Sequence, residues 1–214
     1  MTDRTRLGAG ADGELDRLLE LVCMAGAAGV DLVQIRENDL DDQTLVDLAG
    51  RAVQVTRDTR TRIIVNDRAD VALAAGAAGV HLRSTSFSVE RIRPMVPPEW
   101  VIGRSVHGLD EAVRVTAAGR LDYVTYGTVF KTASKPGGRP TGLDALGRVV
   151  AALPVPVLAI GGITVERARS VGRTGAAGPA AIGVFAAAAE STETFRALVA
   201  EMRNAFTTSA TSHD

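Results

Sequence analysis

His107 closes the run Val101-Ile102-Gly103-Arg104-Ser105-Val106-His107-Gly108. That run reads as a buried strand that breaks at its C-terminal end and enters a helix capped near Gly108. Histidine gives and takes a proton near neutral pH, so His107 at a strand end is a candidate general acid and base. Gln34 and Arg36 share one strand face by the two-residue period. A buried guanidinium needs an anion, which is either a ligand or a carboxylate such as Asp67. Asn66-Asp67 follows the apolar Ile63-Ile64-Val65 and either caps a helix near Ala69 or meets a ligand. His81, behind Gly79-Val80, reads as a hydrogen-bonding group rather than a base.

Anion chemistry is suggested in two further places. The loop Thr132-Ala133-Ser134-Lys135-Pro136-Gly137-Gly138-Arg139 offers hydroxyls, an ammonium, a guanidinium and a flexible backbone. It suits a phosphate or carboxylate, or it is a solvated turn. The two lysines of the chain, Lys131 and Lys135, both fall there among 24 basic residues. Either the genome favours arginine codons or an ammonium is wanted at that loop. Gly161-Gly162 and Gly183 lie at two later strand ends, where backbone N–H groups bind phosphate in many barrels. No Cys/His spacing suggests zinc. A triad of Ser105, His107 and Asp67 lacks any nucleophile-elbow pattern.

These residues need a scaffold, and an internal repeat supplies its outline. Ala-Gly-Ala-Ala-Gly-Val at 25–30 recurs at 75–80, with looser copies at 117–121 and 174–179. Each copy reads as a helix end with a left-handed glycine cap, followed by a strand: 31–37, 80–82, 122–130 and 180–187. Further strands are expected at 62–67, 101–107 and 156–162. Helices are expected at 13–26, 41–57, 69–76, 88–95, 109–118, 143–152, 165–174 and 191–206. Strict alternation with short connections means parallel strands and right-handed crossovers.

The fold expected is therefore α/β, a (β/α)8 TIM barrel of one domain over residues 1–207. Its first strand is truncated or missing, because only the polar residues 1–13 precede the first helix. Residues 208–214, including His213, are expected to form a disordered polar tail.

Composition narrows the partners. A net charge of −1 implies no broad pull toward nucleic acid or membrane. No apolar run is long enough to cross a bilayer, and the start has no signal-peptide core. The single cysteine, Cys23, cannot form an internal disulfide, which fits a reducing compartment. The cytoplasm is the default reading, and a homo-oligomer is compatible with it.

In order along the chain, Val33-Gln34-Ile35-Arg36-Glu37, Ile64-Val65-Asn66-Asp67-Arg68, Gly79-Val80-His81-Leu82, Lys135 with its hydroxyl neighbours, and Ala159-Ile160-Gly161-Gly162-Ile163-Thr164 resemble the thiamine phosphate synthase superfamily. Thr2-Asp3-Arg4 looks like the end of that family's first strand. The resemblance implies one of two enzymes. Synthases join an aminopyrimidine pyrophosphate to a thiazole phosphate, using Mg²⁺ held by two aspartates. Asp67 matches the first, but Ser86 stands where the second is expected, and Asn38 replaces an expected basic residue.

A serine hydroxyl lacks the charge that Mg²⁺ favours. The segments Ser84-Thr85-Ser86-Phe87-Ser88-Val89 and Ile102-Gly103-Arg104-Ser105-Val106-His107 look instead like the thiazole tautomerase branch. The leading expectation is thus a metal-independent isomerase that aromatises a phosphorylated carboxythiazole. His107 would move the proton, Gly161, Gly162 and Gly183 would hold the phosphate, and Arg36, Asn66 and Lys135 would contact substrate anions. Two alternatives stand beside it. One is a thiamine phosphate synthase with Mg²⁺ at Asp67, and the other is a non-catalytic regulatory barrel.

Overall fold

Apolar runs of four to six residues bounded by turn residues form short parallel strands, and amphipathic stretches between them form helices. The computed structural model describes residues 1–8, 10, 13–133 and 137–210. Among these residues there are seven strands: β1 (Leu32–Ile35), β2 (Arg62–Asn66), β3 (Gly79–Leu82), β4 (Val101–Val106), β5 (Tyr123–Tyr126), β6 (Val157–Ile160) and β7 (Gly178–Ala180). The helices are α1 (Glu14–Ala27), α2 (Asp42–Thr56), α3 (Ala69–Ala74), α4 (Val89–Ile92), α5 (Leu109–Thr116), α6 (Gly142–Ala152), α7 (Val165–Gly172), α8 (Gly183–Ala187) and α9 (Thr192–Ala210). The alternation makes this an α/β fold.

The chain divides into two compact units. The first holds Met1–His81, Val96–Val101 and Ile182–Ala200, and the second Leu82–Met95, Ile102–Ala181 and the residues from Glu201. In the first unit β1 pairs in parallel with β2, and β2 with β3, with Asn66 opposite His81. Its interior is aliphatic: Leu18, Val22, Ile35, Leu48, Ile64, Val65 and Val80 are buried. Each such side chain removed from water contributes about 1.5–3 kcal/mol. Gly79 is required here, because a Cβ at this residue would overlap the carbonyl of Val101. Thr2 lies alongside β1, its N–H donating to the carbonyl of Gln34 at 2.9 Å.

In the second unit β4 pairs with β5, β5 with β6 and β6 with β7, all parallel. Ile102, Val106, Val124, Leu146 and Val171 are fully buried in it.

The glycine caps fall where the repeat predicts, with one offset. Gly29, Gly76, Gly119 and Gly175 all have positive φ. In the copy at 75–80 the first glycine is the cap and the second opens β3. In the identical copy at 25–30, Gly26 is still inside α1 and the second glycine is the cap. The bonds Gly29 N–H to Gly26 C=O and Val30 N–H to Ala25 C=O close a Schellman turn there.

Two boundaries differ from the sequence reading. The stretch 180–187 is not one strand, since β7 ends at Ala180 and Gly183 opens α8. Phe185 is followed by four alanines, and alanine is the best helix former and is depleted in strands. At the C-terminus, α9 continues through Ala210, while residues 211–214, with His213, lie outside the described residues.

Candidate functional site

The first unit presents a polar cluster at the C-terminal ends of β1 and β2. Gln34 is buried and its Nε2 donates to Asn66 Oδ1 at 2.9 Å. Asn66 Nδ2 in turn donates to Asn38 Oδ1 at 3.2 Å. This chain of amides fixes which way the buried Asn66 faces, and its Nδ2 keeps a second N–H for a ligand. Asn66 is therefore not a helix cap. The residue before α3 is Arg68, which gives no side-chain cap and instead pairs with Asp42 and Asp70. Asp67 has φ 62, the left-handed region that aspartate and asparagine enter more readily than most residues. Its N–H donates to the carbonyl of His81. His81 is 1% exposed, so it sits in the interior, as its sequence position suggests.

Arg36 is half-buried, and its backbone N–H donates to Thr2 Oγ1 at 2.9 Å. It makes no ion pair with Asp67, and its charge acts instead on Asp3 and on the buried amino group of Met1. The neighbouring acid is committed elsewhere. Glu37 accepts from Thr2 Oγ1 at 2.6 Å and from Arg4 Nη1 at 3.1 Å, while Arg4 also reaches Glu14 and Asp39. Those bonds hold the Arg4 guanidinium more firmly protonated than usual and leave Arg36 as a cation suited to an external anion. Gly183 opens the five-residue helix α8, with Arg6 Nη1 3.8 Å from where its Cβ would stand.

The second unit carries His107. It follows the last residue of β4 and is exposed. Its Nδ1 is 2.6 Å from the carbonyl oxygen of Gly127. Its backbone N–H donates to Glu111 Oε2 at 2.8 Å, so an acid in the first turn of α5 secures the strand-to-helix corner. Gly108 is the cap residue, as the sequence predicts. Behind His107, Ser105 Oγ and Thr125 Oγ1 lie 3.2 Å apart on adjacent strands.

The turn after β6 is built from Gly161 (φ 104) and Gly162 (φ 64). A Cβ at Gly161 would stand 2.6 Å from Thr128 Cγ2. The carbonyl of Gly161 accepts from Phe130 N–H at 3.0 Å, and that of Gly162 from Arg167 Nη1 at 2.6 Å. Among the described residues neither glycine N–H meets a protein acceptor, which suits both for an anion. His107 and this turn thus meet through one short loop, residues 127–130. Beyond it lies a pocket of about 550 Å³ lined by Lys131, Thr132, Ala133, Gly137, Gly138 and Arg139. Lys135 lies outside the described residues.

A family model described as thiamine monophosphate synthase matches residues 8–185. The chain belongs to the thiamine monophosphate synthase family. Among the relatives of this synthase-family chain, the thiamine-phosphate synthase of Roseiflexus sp. (strain RS-1) is 37% identical over 206 residues, covering 96% of this chain and 84% of that protein. The thiamine-phosphate synthase of Methanoculleus marisnigri is 40% identical over 180 residues, covering 84% of this chain and 85% of that protein. A solved thiamine phosphate pyrophosphorylase from Pyrococcus furiosus superposes with a TM-score of 0.79 at 32% identity, covering 97% of this chain and 94% of that one.

These matches overturn the tautomerase reading and place the chain in a transferase family rather than among isomerases. The expectation rested on a missing carboxylate at Ser86. One absent ligand discriminates weakly, because Mg²⁺ takes most of its oxygens from substrate phosphates and water. The sequence had also passed over Thr2, Arg4 and Glu37 as a unit and the contacts of Arg104. Only the polar types at strand starts and ends could have signalled them.

Proposed function

We propose that the chain is a transferase that joins an aminopyrimidine pyrophosphate to a thiazole phosphate and releases pyrophosphate. The observation that carries this reading is the 37% identity to a thiamine-phosphate synthase across 96% of the chain. Within it, the expected single (β/α)8 barrel over residues 1–207, a cytoplasmic setting and small-molecule phosphorylated partners belong together.

The residues take roles by their chemistry. As the carbon–oxygen bond to pyrophosphate breaks, negative charge grows on the leaving group, and preorganised donors aimed at that charge lower the barrier. Arg36 has a guanidinium for this and Asn66 a fixed N–H. The N–H groups of Gly161, Gly162 and Gly183 suit the thiazole phosphate, with Lys135 as a further cation. His107 offers Nε2 to the reactants.

The resemblance implies Mg²⁺ between two carboxylates, and the chain supplies only one of the two. Asp67 supplies one acid and Ser86 a neutral hydroxyl. Among the described residues no group of three or more His, Cys, Asp and Glu side chains could hold a metal. No step is therefore assigned to the metal.

The test is to incubate the protein with both substrates, with and without Mg²⁺, and to measure thiamine phosphate and pyrophosphate. Equimolar formation of the two supports the reading. No product from folded protein under either condition overturns it and favours a non-catalytic barrel.

A further inference from the structure

We propose that Arg104 is a positioning residue. Its guanidinium holds the loop between β3 and α4 in one conformation, and it serves that order rather than the global stability of the chain. Arg104 lies mid-strand in β4 and is 6% exposed. Ile102 and Val106 flank it on the same strand face and are fully buried, while Ser105 and His107 point to the opposite face. Arg104 therefore cannot touch what those two residues touch.

What it touches is the loop. Nη2 donates to the carbonyls of Ser84 at 2.8 Å and Ser86 at 2.9 Å, and Nη1 to that of Phe87 at 2.8 Å. Three acceptors within four residues converge on one planar fork, a geometry that an ammonium cannot match. Other contacts bear on the loop, where the Arg91 guanidinium lies 4.8 Å from the centroid of the Phe87 ring. Arg83 N–H donates to Ser86 Oγ and Ser86 N–H to the carbonyl of Arg83. The cap residue of α4, Ser88, gives no side-chain cap bond, and Phe87 is 67% exposed. An exposed segment of this kind opens locally unless bonds pin it, and Arg104 makes three of them.

The same guanidinium is a poor global stabiliser. Its charge acts on the exposed Glu90 carboxylate, and its Nε is buried without a partner. Taking a guanidinium out of water is costly, and three hydrogen bonds to neutral carbonyls offset that cost only in part. The loop is then the reason for a charge at this position.

The functional side of the proposal rests on the synthase reading. Ser86 stands at the position of the expected second metal-binding acid, and on that reading the loop contributes to binding of the pyrophosphate-bearing substrate.

Amide hydrogen exchange and melting temperature of wild type, Arg104→Met and Arg104→Lys test the clasp without any need for turnover. In Arg104→Met the amides of residues 84–87 are expected to exchange roughly tenfold faster or more, with Tm unchanged or raised. Arg104→Lys is expected to fall between the two. Unchanged exchange at the loop, or a fall in Tm or failure to fold in Arg104→Met, overturns the proposal.

Where wild type turns over, KM for the pyrophosphate-bearing substrate is expected to rise several-fold while kcat stays within about twofold. A loss confined to kcat contradicts positioning. If wild type gives no product, the functional reading fails, and exchange and melting still decide the role of Arg104.

Discussion

His107 Nδ1 lies 2.6 Å from the carbonyl oxygen of Gly127. A carbonyl only accepts, so the proton of the neutral ring sits on Nδ1 and the lone pair on Nε2. The backbone thus fixes the tautomer, and the role proposed for His107 falls to Nε2.

Asparagine can keep a donor near Nδ1 while removing Nε2, whereas alanine removes both. We expect His107→Asn and His107→Ala each to lower kcat by about 10²-fold, the lower end of a positioned acid–base group, with only the alanine variant melting lower. Steady-state kinetics beside thermal melting check this. Full turnover in His107→Asn would remove Nε2 from the mechanism.

Ser86→Asp restores a carboxylate to the β3–α4 loop, and either side chain can accept from Arg83 N–H. The apparent Mg²⁺ affinity, read from a metal titration with inorganic pyrophosphate present, is expected to rise about tenfold, the effect of adding one hard anionic ligand. An unchanged titration would show that this loop does not face the metal.

Gly103 lies beneath the ring of Tyr123, and a Cβ there would overlap the ring carbons and Oη. Gly103→Ala is expected to cost about 1–3 kcal/mol through overpacking. Tyr123→Leu in the same chain should recover part of that loss. Chemical denaturation of both singles and the double gives the coupling, and additive losses would contradict the contact.

Asp41 caps α2, accepting from Thr44 N–H at 3.0 Å and from Thr44 Oγ1 at 2.7 Å. These bonds hold its carboxyl below the ordinary value of 3.8. A depressed pKa contributes stability that is present above the unfolded value and lost as pH falls through the folded one. Asp41→Ala is therefore expected to melt below wild type at neutral pH, with the gap closing as pH drops below 3.8. Melting curves across that range decide it, and a constant gap would mean that the charge contributes nothing.

Much of the scaffold was legible because glycine and apolar runs act locally. The caps at Gly76, Gly119 and Gly175 and the strand that ends before His107 follow from single residues and period-two burial. The run after Gly183 was misread because its place in the alternation outweighed its alanines. Of the residues proposed for the site, Asn66 and Arg36 stood out by position alone. Their partners were not. Glu37 binds Thr2 and Arg4, more than thirty residues away, and Asn66 is oriented by Asn38, 28 residues earlier. Arg104 looked like one polar residue in an apolar strand until its three carbonyl partners placed it behind the loop.

The two copies of Ala-Gly-Ala-Ala-Gly-Val differ in conformation although no residue differs. Their turn bonds correspond with an offset of three residues, about one turn of helix. Local preference is thus identical in the two segments, and the neighbours choose between the outcomes. One is the buried face that α1 must complete and the other is the strand that must meet Val101. The hexapeptide is a chameleon within a single chain. A peptide of that sequence, or one copy moved into the frame of the other, would carry no memory of where its helix ends.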